Sequence, residues 1–314
     1  MSRAFTFPGQ GSQAVGMGKA LADAFPAARE VFEEVDEALK QKLTQVMWQG
    51  PEADLTSTEN AQPALMAVSL AVMRVLEMDG KLDWSKHVAF VAGHSLGEYS
   101  ALAAAGAFTV PQAARLLRAR GTAMRRAAPV GTSGMGALLG ADFAQADEVC
   151  QEASTGGEVC VVANDNAPGQ IVISGHKGAL ERAQEIAKAK GIKRLMMLPV
   201  AAAFHSPLMA PAAREMEDVL GNETIRPPRV PVIANVSVSP ESDPAAIKRL
   251  LIEQITGRVR WRETVESLRG RGVTSAVEIG AGKVLSTMAK RIDKDLPTVS
   301  IETPQEIESF VKTL

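Results

Sequence analysis

The chain has 314 residues, which at roughly 150 residues per domain means one large domain or two modest ones. With 46% apolar and 22% charged residues it is too apolar for a disordered chain. A net charge of -2 and only 4% aromatics exclude a basic or base-stacking nucleic-acid surface. Two cysteines, Cys150 and Cys160, are too few for a disulfide framework. The N-terminus, MSRAFTFPGQGSQ, meets a Gly-rich turn at once and lacks the apolar core of a signal peptide. No apolar run reaches the ~18 uninterrupted residues of a membrane span. The expectation is a cytoplasmic enzyme or binding domain with no membrane or nucleic-acid partner.

Residues 3–7 predict a short strand ending at Pro8-Gly9. Helical patterns follow around 17–40 and 63–78. The apolar run HVAFVA at 87–92 predicts a buried parallel strand, followed by helices near 96–106 and 111–126. From about residue 130 the texture changes: strand 136–140, helix 143–153, strands 158–163 and 170–174, helix 177–190 and strand 194–200. That β-α-β-β-α-β order is ferredoxin-like, and Asn164-Asp165-Asn166-Ala167-Pro168-Gly169 supplies dense turn chemistry for its central hairpin. Beyond 200, short strands at 231–236, 275–280 and 297–301 alternate with helices. The predicted fold is α/β: a parallel-sheet domain formed by 1–129 and 201–314, interrupted by a small domain at 130–200.

Gly93-His94-Ser95-Leu96-Gly97 is G-x-S-x-G directly after a strand and directly before a helix, the flanks of a nucleophile elbow. Such an elbow exposes the Ser95 hydroxyl and aims the N–H of Leu96, at the helix start, toward a developing oxyanion. Serine needs a base, and the chain has four histidines. His87 starts a strand, His94 is expected to be turned away by the elbow, and His176 opens a helix of the small domain. His205 precedes Ser206-Pro207, a helix cap followed by a proline suited to the first helical position. It therefore sits where α/β sheets build their sites. No Asp or Glu between Ser95 and His205 suggests itself as the orienting acid. Either a carbonyl orients the imidazole or the acid lies where sequence does not reveal it.

At ~100° per residue, Arg115, Arg118, Arg125 and Arg126 share one side of the 111–126 helix. Arg120 falls among Ala113, Leu116, Leu117 and Met124. A guanidinium on an apolar stripe is costly unless an anion pairs with it. The alternatives are an internal salt bridge and a substrate carboxylate held by bidentate hydrogen bonds. The substrate reading requires Ser95 and Arg120 to open onto one cavity, with no internal acid neutralising the cation. The loop at 7–13, FPGQGSQ, is neither a dinucleotide fingerprint nor a P-loop. Its close glycines could bring a second oxyanion donor to the site.

Together these landmarks resemble the malonyl-CoA:acyl carrier protein transacylase family and the related acyltransferase domains of fatty acid and polyketide synthases. They are FPGQGSQ at 7–13, QPAL at 62–65, GHSLGEYSALAAAGA at 93–107, Arg120-Gly121, NDNAPGQ at 164–170, FHSPLM at 204–209 and EIGAGKVL at 278–285. The resemblance implies an α/β-hydrolase-like large domain with a ferredoxin-like insertion. It also implies ping-pong transfer of malonyl from malonyl-CoA to the phosphopantetheine thiol of an acyl carrier protein. Ser95 would be the nucleophile and His205 the base. Backbone N–H groups of Gln10 and Leu96 would form the oxyanion hole, and Arg120 would bind the malonyl carboxylate. The imidazole would be oriented by a main-chain carbonyl near Gln254, and Asn164 and Asn166 would line the cleft. Neither a cofactor nor a metal is implied, and a monomer is compatible with the resemblance. An acidic carrier protein would favour basic docking residues. Lys188, Lys190, Lys193 and Arg194, or Arg258, Arg260 and Arg262, are candidates, unless they are simply solvated charges.

Overall fold

The computed structural model describes residues 2–129, 131–200 and 202–314. Val130 and Ala201, at the two expected boundaries, lie outside the described residues. Strand β1 (Arg3–Phe7) is wholly buried, and β2 (Val88–Gly93) pairs with it in parallel. The small sheet contains β3 (Ser133–Leu139), β4 (Cys160–Ala167), β5 (Gln170–His176) and β6 (Arg194–Met197). The chain then adds β7 (Val232–Ile233), β8 (Pro240–Glu241), β9 (Ser275–Ile279) and β10 (Thr298–Ile301) to the first sheet.

The larger sheet runs β10-β9-β1-β2-β7-β8 and is parallel except for β8. The smaller runs β4-β5-β3-β6, all antiparallel, with helices Phe143–Ala153 and Lys177–Ala189 packed on it. This is an α/β-hydrolase-like sheet with a ferredoxin-like insertion, as the sequence predicts. β1 and β2 lie at its centre, so the loops after Phe7 and Gly93 emerge side by side at the strands' carboxyl ends. Open α/β sheets place ligands there. The loops are tied by the His94 N–H donating to the Phe7 carbonyl at 3.0 Å.

Helix Thr58–Met78 is 21 residues long and apolar enough to cross a membrane by length and hydropathy. Most of its apolar window is buried inside the protein, which makes it the central core helix. It begins five residues before the predicted start, so Pro63 falls inside it. Short helices Leu43–Gln49 and Glu52–Thr56 were not anticipated. The larger difference is at 164–167. The expected turn is strand: β4 continues to Ala167 through two register shifts, leaving only Pro168-Gly169 to turn. Turn propensity is overridden by tertiary anchoring. Asp165 is fully buried and accepts from Arg262 Nη2 at 2.8 Å, and its own N–H donates to the Val259 carbonyl at 3.0 Å. The predicted strand 194–200 is shorter, ending at Met197.

Candidate active site

The elbow is held open by glycines. A Cβ on Gly93 would come within 1.9 Å of the Gly97 backbone, and one on Gly97 within 2.2 Å of the Phe7 carbonyl. Ser95 between them is forced to φ 53°, a left-handed conformation that costs a non-glycine residue ~1–2 kcal/mol. The backbone is secured by Asn235, whose Oδ1 accepts from the Ser95 N–H at 2.8 Å and whose Nδ2 donates to the Gly93 carbonyl at 2.7 Å.

His205 lies in the connection after β6. Its φ is also left-handed, at 57°. Ser206 caps the short helix Pro207–Met209, accepting from the Leu208 N–H at 3.3 Å, as the local sequence predicts. The ring bridges Ser95 Oγ, 2.7 Å from Nε2, and the main-chain carbonyls of Gln254 and Gly257, 2.8 and 3.2 Å from Nδ1. With Nδ1 protonated toward those carbonyls, Nε2 is left as the acceptor facing the hydroxyl. Burial, reinforced by the Arg120 cation, pushes the imidazole down to about 3, so it is neutral at working pH.

Arg120 reaches the same point from helix Val110–Arg126. That helix crosses Thr58–Met78 closely because residue 121 is glycine: a Cβ there would lie 2.6 Å from the Thr58 carbonyl. Arg120 as a whole is 1% exposed. Nη1 donates to Gln62 Oε1 at 2.8 Å. Nη2 donates to Gln254 Oε1 at 2.8 Å and to Ser95 Oγ at 3.1 Å. Nε has no partner, and among the described residues no carboxylate lies within ion-pair distance of Arg120. The internal salt bridge considered from sequence is therefore not what the structure contains. A buried cation with only neutral acceptors is an anion site in waiting.

Ser95, His205 and Arg120 line one cavity of about 290 Å³, together with Gln10, Leu96, Asn164 and Asn166. Neither the Gln10 nor the Leu96 N–H is spent on another group among the described residues. Gln254 does not line the cavity; it is fully buried behind the nucleophile, where its Nε2 donates to the Ser95 carbonyl at 3.0 Å and to Glu98 Oε2 at 2.9 Å. His94 is half-buried at the cavity wall and bonds Asn166 Oδ1 through Nε2 at 2.8 Å, linking the elbow to β4. His87 and His176 lie elsewhere, bonding Arg3 and the Val159 N–H. Among the described residues no His, Cys, Asp and Glu cluster could hold a metal.

Gln62, Asn235 and Glu98 complete the site and were not singled out from sequence. Glu98 had a signal: it is the one charged residue in the small-residue helix Gly97–Ala104, most of which is buried. Several candidate docking cations are internally paired. Arg262 binds Asp165 and Glu266, Arg258 and Arg260 share Glu263, and Lys190 meets Glu148 and Glu152.

The chain carries the fold of an acyltransferase: the acyl transferase domain model matches residues 4–301. The chain is 44% identical to a malonyl CoA-acyl carrier protein transacylase from Bacillus subtilis, covering 99% of this chain and 96% of that one. It is 43% identical to its Escherichia coli K12 counterpart over 98% of each. Among solved structures, an acyl-carrier-protein-S-malonyltransferase from Bartonella henselae superimposes with a TM-score of 0.97 at 55% identity, covering 100% and 99% of the two chains. A malonyl-transacylase in complex with its type II PKS acyl-carrier protein gives 0.96 at 39%, covering 100% of both. The chain thus belongs to the malonyl-CoA:acyl carrier protein transacylase family.

Proposed function

We propose that the enzyme moves a malonyl group from malonyl-CoA to the phosphopantetheine thiol of an acyl carrier protein through a malonyl-Ser95 intermediate. It would supply extender units for fatty acid or polyketide synthesis in the cytoplasm. The observation that carries this reading is an unpaired, buried guanidinium whose Nη2 lies 3.1 Å from the candidate nucleophile. A neutral acyl group would leave that cation without a counter-ion. A carboxylate at the far end of the acyl chain supplies one.

In the first half-reaction Ser95 Oγ attacks the thioester carbonyl as its proton passes to His205 Nε2. The oxyanion is held by the N–H groups of Gln10 and Leu96, and the Gln254 and Gly257 carbonyls stabilise the imidazolium at Nδ1. Collapse breaks the C–S bond, and the departing sulfur takes the proton from Nε2. In the second half the carrier thiol gives its proton to His205 and attacks the ester. Serine then leaves and is reprotonated.

Donor accounting supports the role of Arg120. Of its five N–H groups, the one on Nε and one on Nη1 are unspent, and acylation releases the one on Nη2 that Ser95 Oγ had accepted. A terminal pair of one Nη1 and one Nη2 donor is what a bidentate carboxylate takes. The test is malonyl-CoA turnover with and without carrier protein. Thiol-dependent malonyl transfer is expected, and equally fast hydrolysis without a thiol acceptor would make the protein a thioesterase.

A further inference from the structure

Behind the nucleophile lies a buried acid with no part in the chemistry described so far. Glu98 is 2% exposed and stands one helical turn after Ser95. One of its oxygens, Oε2, accepts from the Asn235 N–H at 3.0 Å and from Gln254 Nε2 at 2.9 Å. Both donors belong to residues that build the site. Asn235 holds the Ser95 backbone. Gln254 offers its main-chain carbonyl to His205 and its Oε1 to Arg120.

We propose that Glu98 is a positioning residue for acyl transfer: it orients the Gln254 amide and thereby seats Arg120, without itself pairing with that cation. The inference rests on the malonyl-transfer reading above and deepens it.

The argument is one of hydrogen-bond polarity. An amide can present either end, but a carboxylate only accepts. Glu98 Oε2 already accepts the Asn235 N–H and so is the acceptor oxygen whether or not the carboxyl is protonated; facing it, Gln254 offers Nε2, and Oε1 turns to Arg120, where a guanidinium needs an acceptor. A flipped amide would set donor against donor at Arg120. The arrangement also divides two charges across one neutral amide. When ionised, Glu98 lies in the field of Arg120 without pairing with it, so the fork remains open to a substrate carboxylate.

The ionisable groups around Glu98 are Arg120 from the Val110–Arg126 helix, Tyr99 on its own helix and, across Gln254, His205. Burial lifts the Glu98 carboxyl to about 7, against the pull of the Asn235 N–H, Gln254 and Arg120. Ionised Glu98 shares the field of Arg120 and repels an incoming carboxylate. Malonyl affinity therefore falls as pH rises through 7, and affinity for an uncharged acyl group does not.

The test is single-turnover loading from malonyl-CoA and acetyl-CoA by wild type, Glu98→Gln, Glu98→Ala and, as a control, Arg120→Ala, across pH 6 to 8. Glu98→Ala removes the acceptor and is expected to slow malonyl loading about 30-fold, a loss typical of a hydrogen bond to a charged group, with a smaller effect on acetyl. Glu98→Gln keeps an acceptor oxygen, because the Asn235 N–H demands one, and restores loading to within about tenfold of wild type. Its apparent KM for malonyl-CoA is flat with pH, whereas that of the wild type rises several-fold. Should Glu98→Ala fail to fold, the pH profile of Glu98→Gln decides. The proposal is overturned if Glu98→Ala loads malonyl with wild-type rate and selectivity, or if Glu98→Gln keeps the wild-type pH dependence. An Arg120→Ala enzyme with unaltered acyl choice sinks the malonyl reading itself. Altered choice there beside unaffected Glu98 variants sinks only the role of Glu98.

Discussion

Replacing Arg120 with alanine separates the two jobs a buried cation can have. In the empty enzyme Arg120 is held by Gln62, Gln254 and Ser95 through neutral hydrogen bonds, so its removal leaves no buried anion directly unpaired. For a neutral acyl group the loss is limited to these contacts, about 1 kcal/mol in the transition state. For a malonyl group the variant strands a carboxylate in a buried pocket, which costs about 3–5 kcal/mol. That is roughly 100- to several-thousand-fold in kcat/KM. The ratio of malonyl to acetyl loading, measured by competition and quantified as acyl-enzyme by intact-protein mass spectrometry, is expected to drop by at least about 100-fold on this arithmetic. Arg120→Lys does not restore it, because a single ammonium cannot serve Gln62, Gln254 and a bidentate carboxylate together. Equal loss for both acyl groups would refute the argument and make Arg120 a structural residue.

Acid should destabilise the fold through His205. Its imidazole is held far below the ordinary 6.5, so below pH 6.5 the unfolded chain takes up a proton that the folded chain refuses. Stability from this residue is complete above pH 6.5 and is lost as pH falls toward about 3, with about 2 kcal/mol gone by pH 5. Urea midpoints at pH 7.5 and pH 5 should therefore converge in His205→Gln relative to wild type, and an unaltered pH dependence contradicts the assignment. Gly97→Ala places a Cβ 2.2 Å from the Phe7 carbonyl, an overpacking of about 1–3 kcal/mol or more that pushes the Gln10 loop from the elbow. A lower melting temperature with impaired acylation is expected, and wild-type kinetics in that variant would show that the close approach is dispensable.

Ser95, His205 and Arg120 were legible because each carries a local pattern: strand-turn-helix for the first, a cap signal for the second and a wrong-face cation for the third. The ferredoxin-like order was legible for the same reason, since its strands and helices alternate with clear periodicity. What sequence alone missed depends on tertiary partners. Asn164–Ala167 reads as a turn until Arg262 and Val259 anchor Asp165 in a strand. No acid orients the His205 ring among the described residues: two main-chain carbonyls, which no residue type encodes, face its Nδ1. Gln62 and Asn235 are ordinary amides in sequence, and only the crossing of their elements makes them part of the site.

The most direct measurement is to isolate the enzyme after brief exposure to malonyl-CoA, map the adduct by peptide mass spectrometry, and then add phosphopantetheinylated carrier protein. The account predicts a malonyl ester on Ser95 that disappears as malonyl-carrier forms, with no adduct in Ser95→Ala. An adduct on another residue, or a Ser95 ester that water removes as fast as the carrier thiol does, would contradict it.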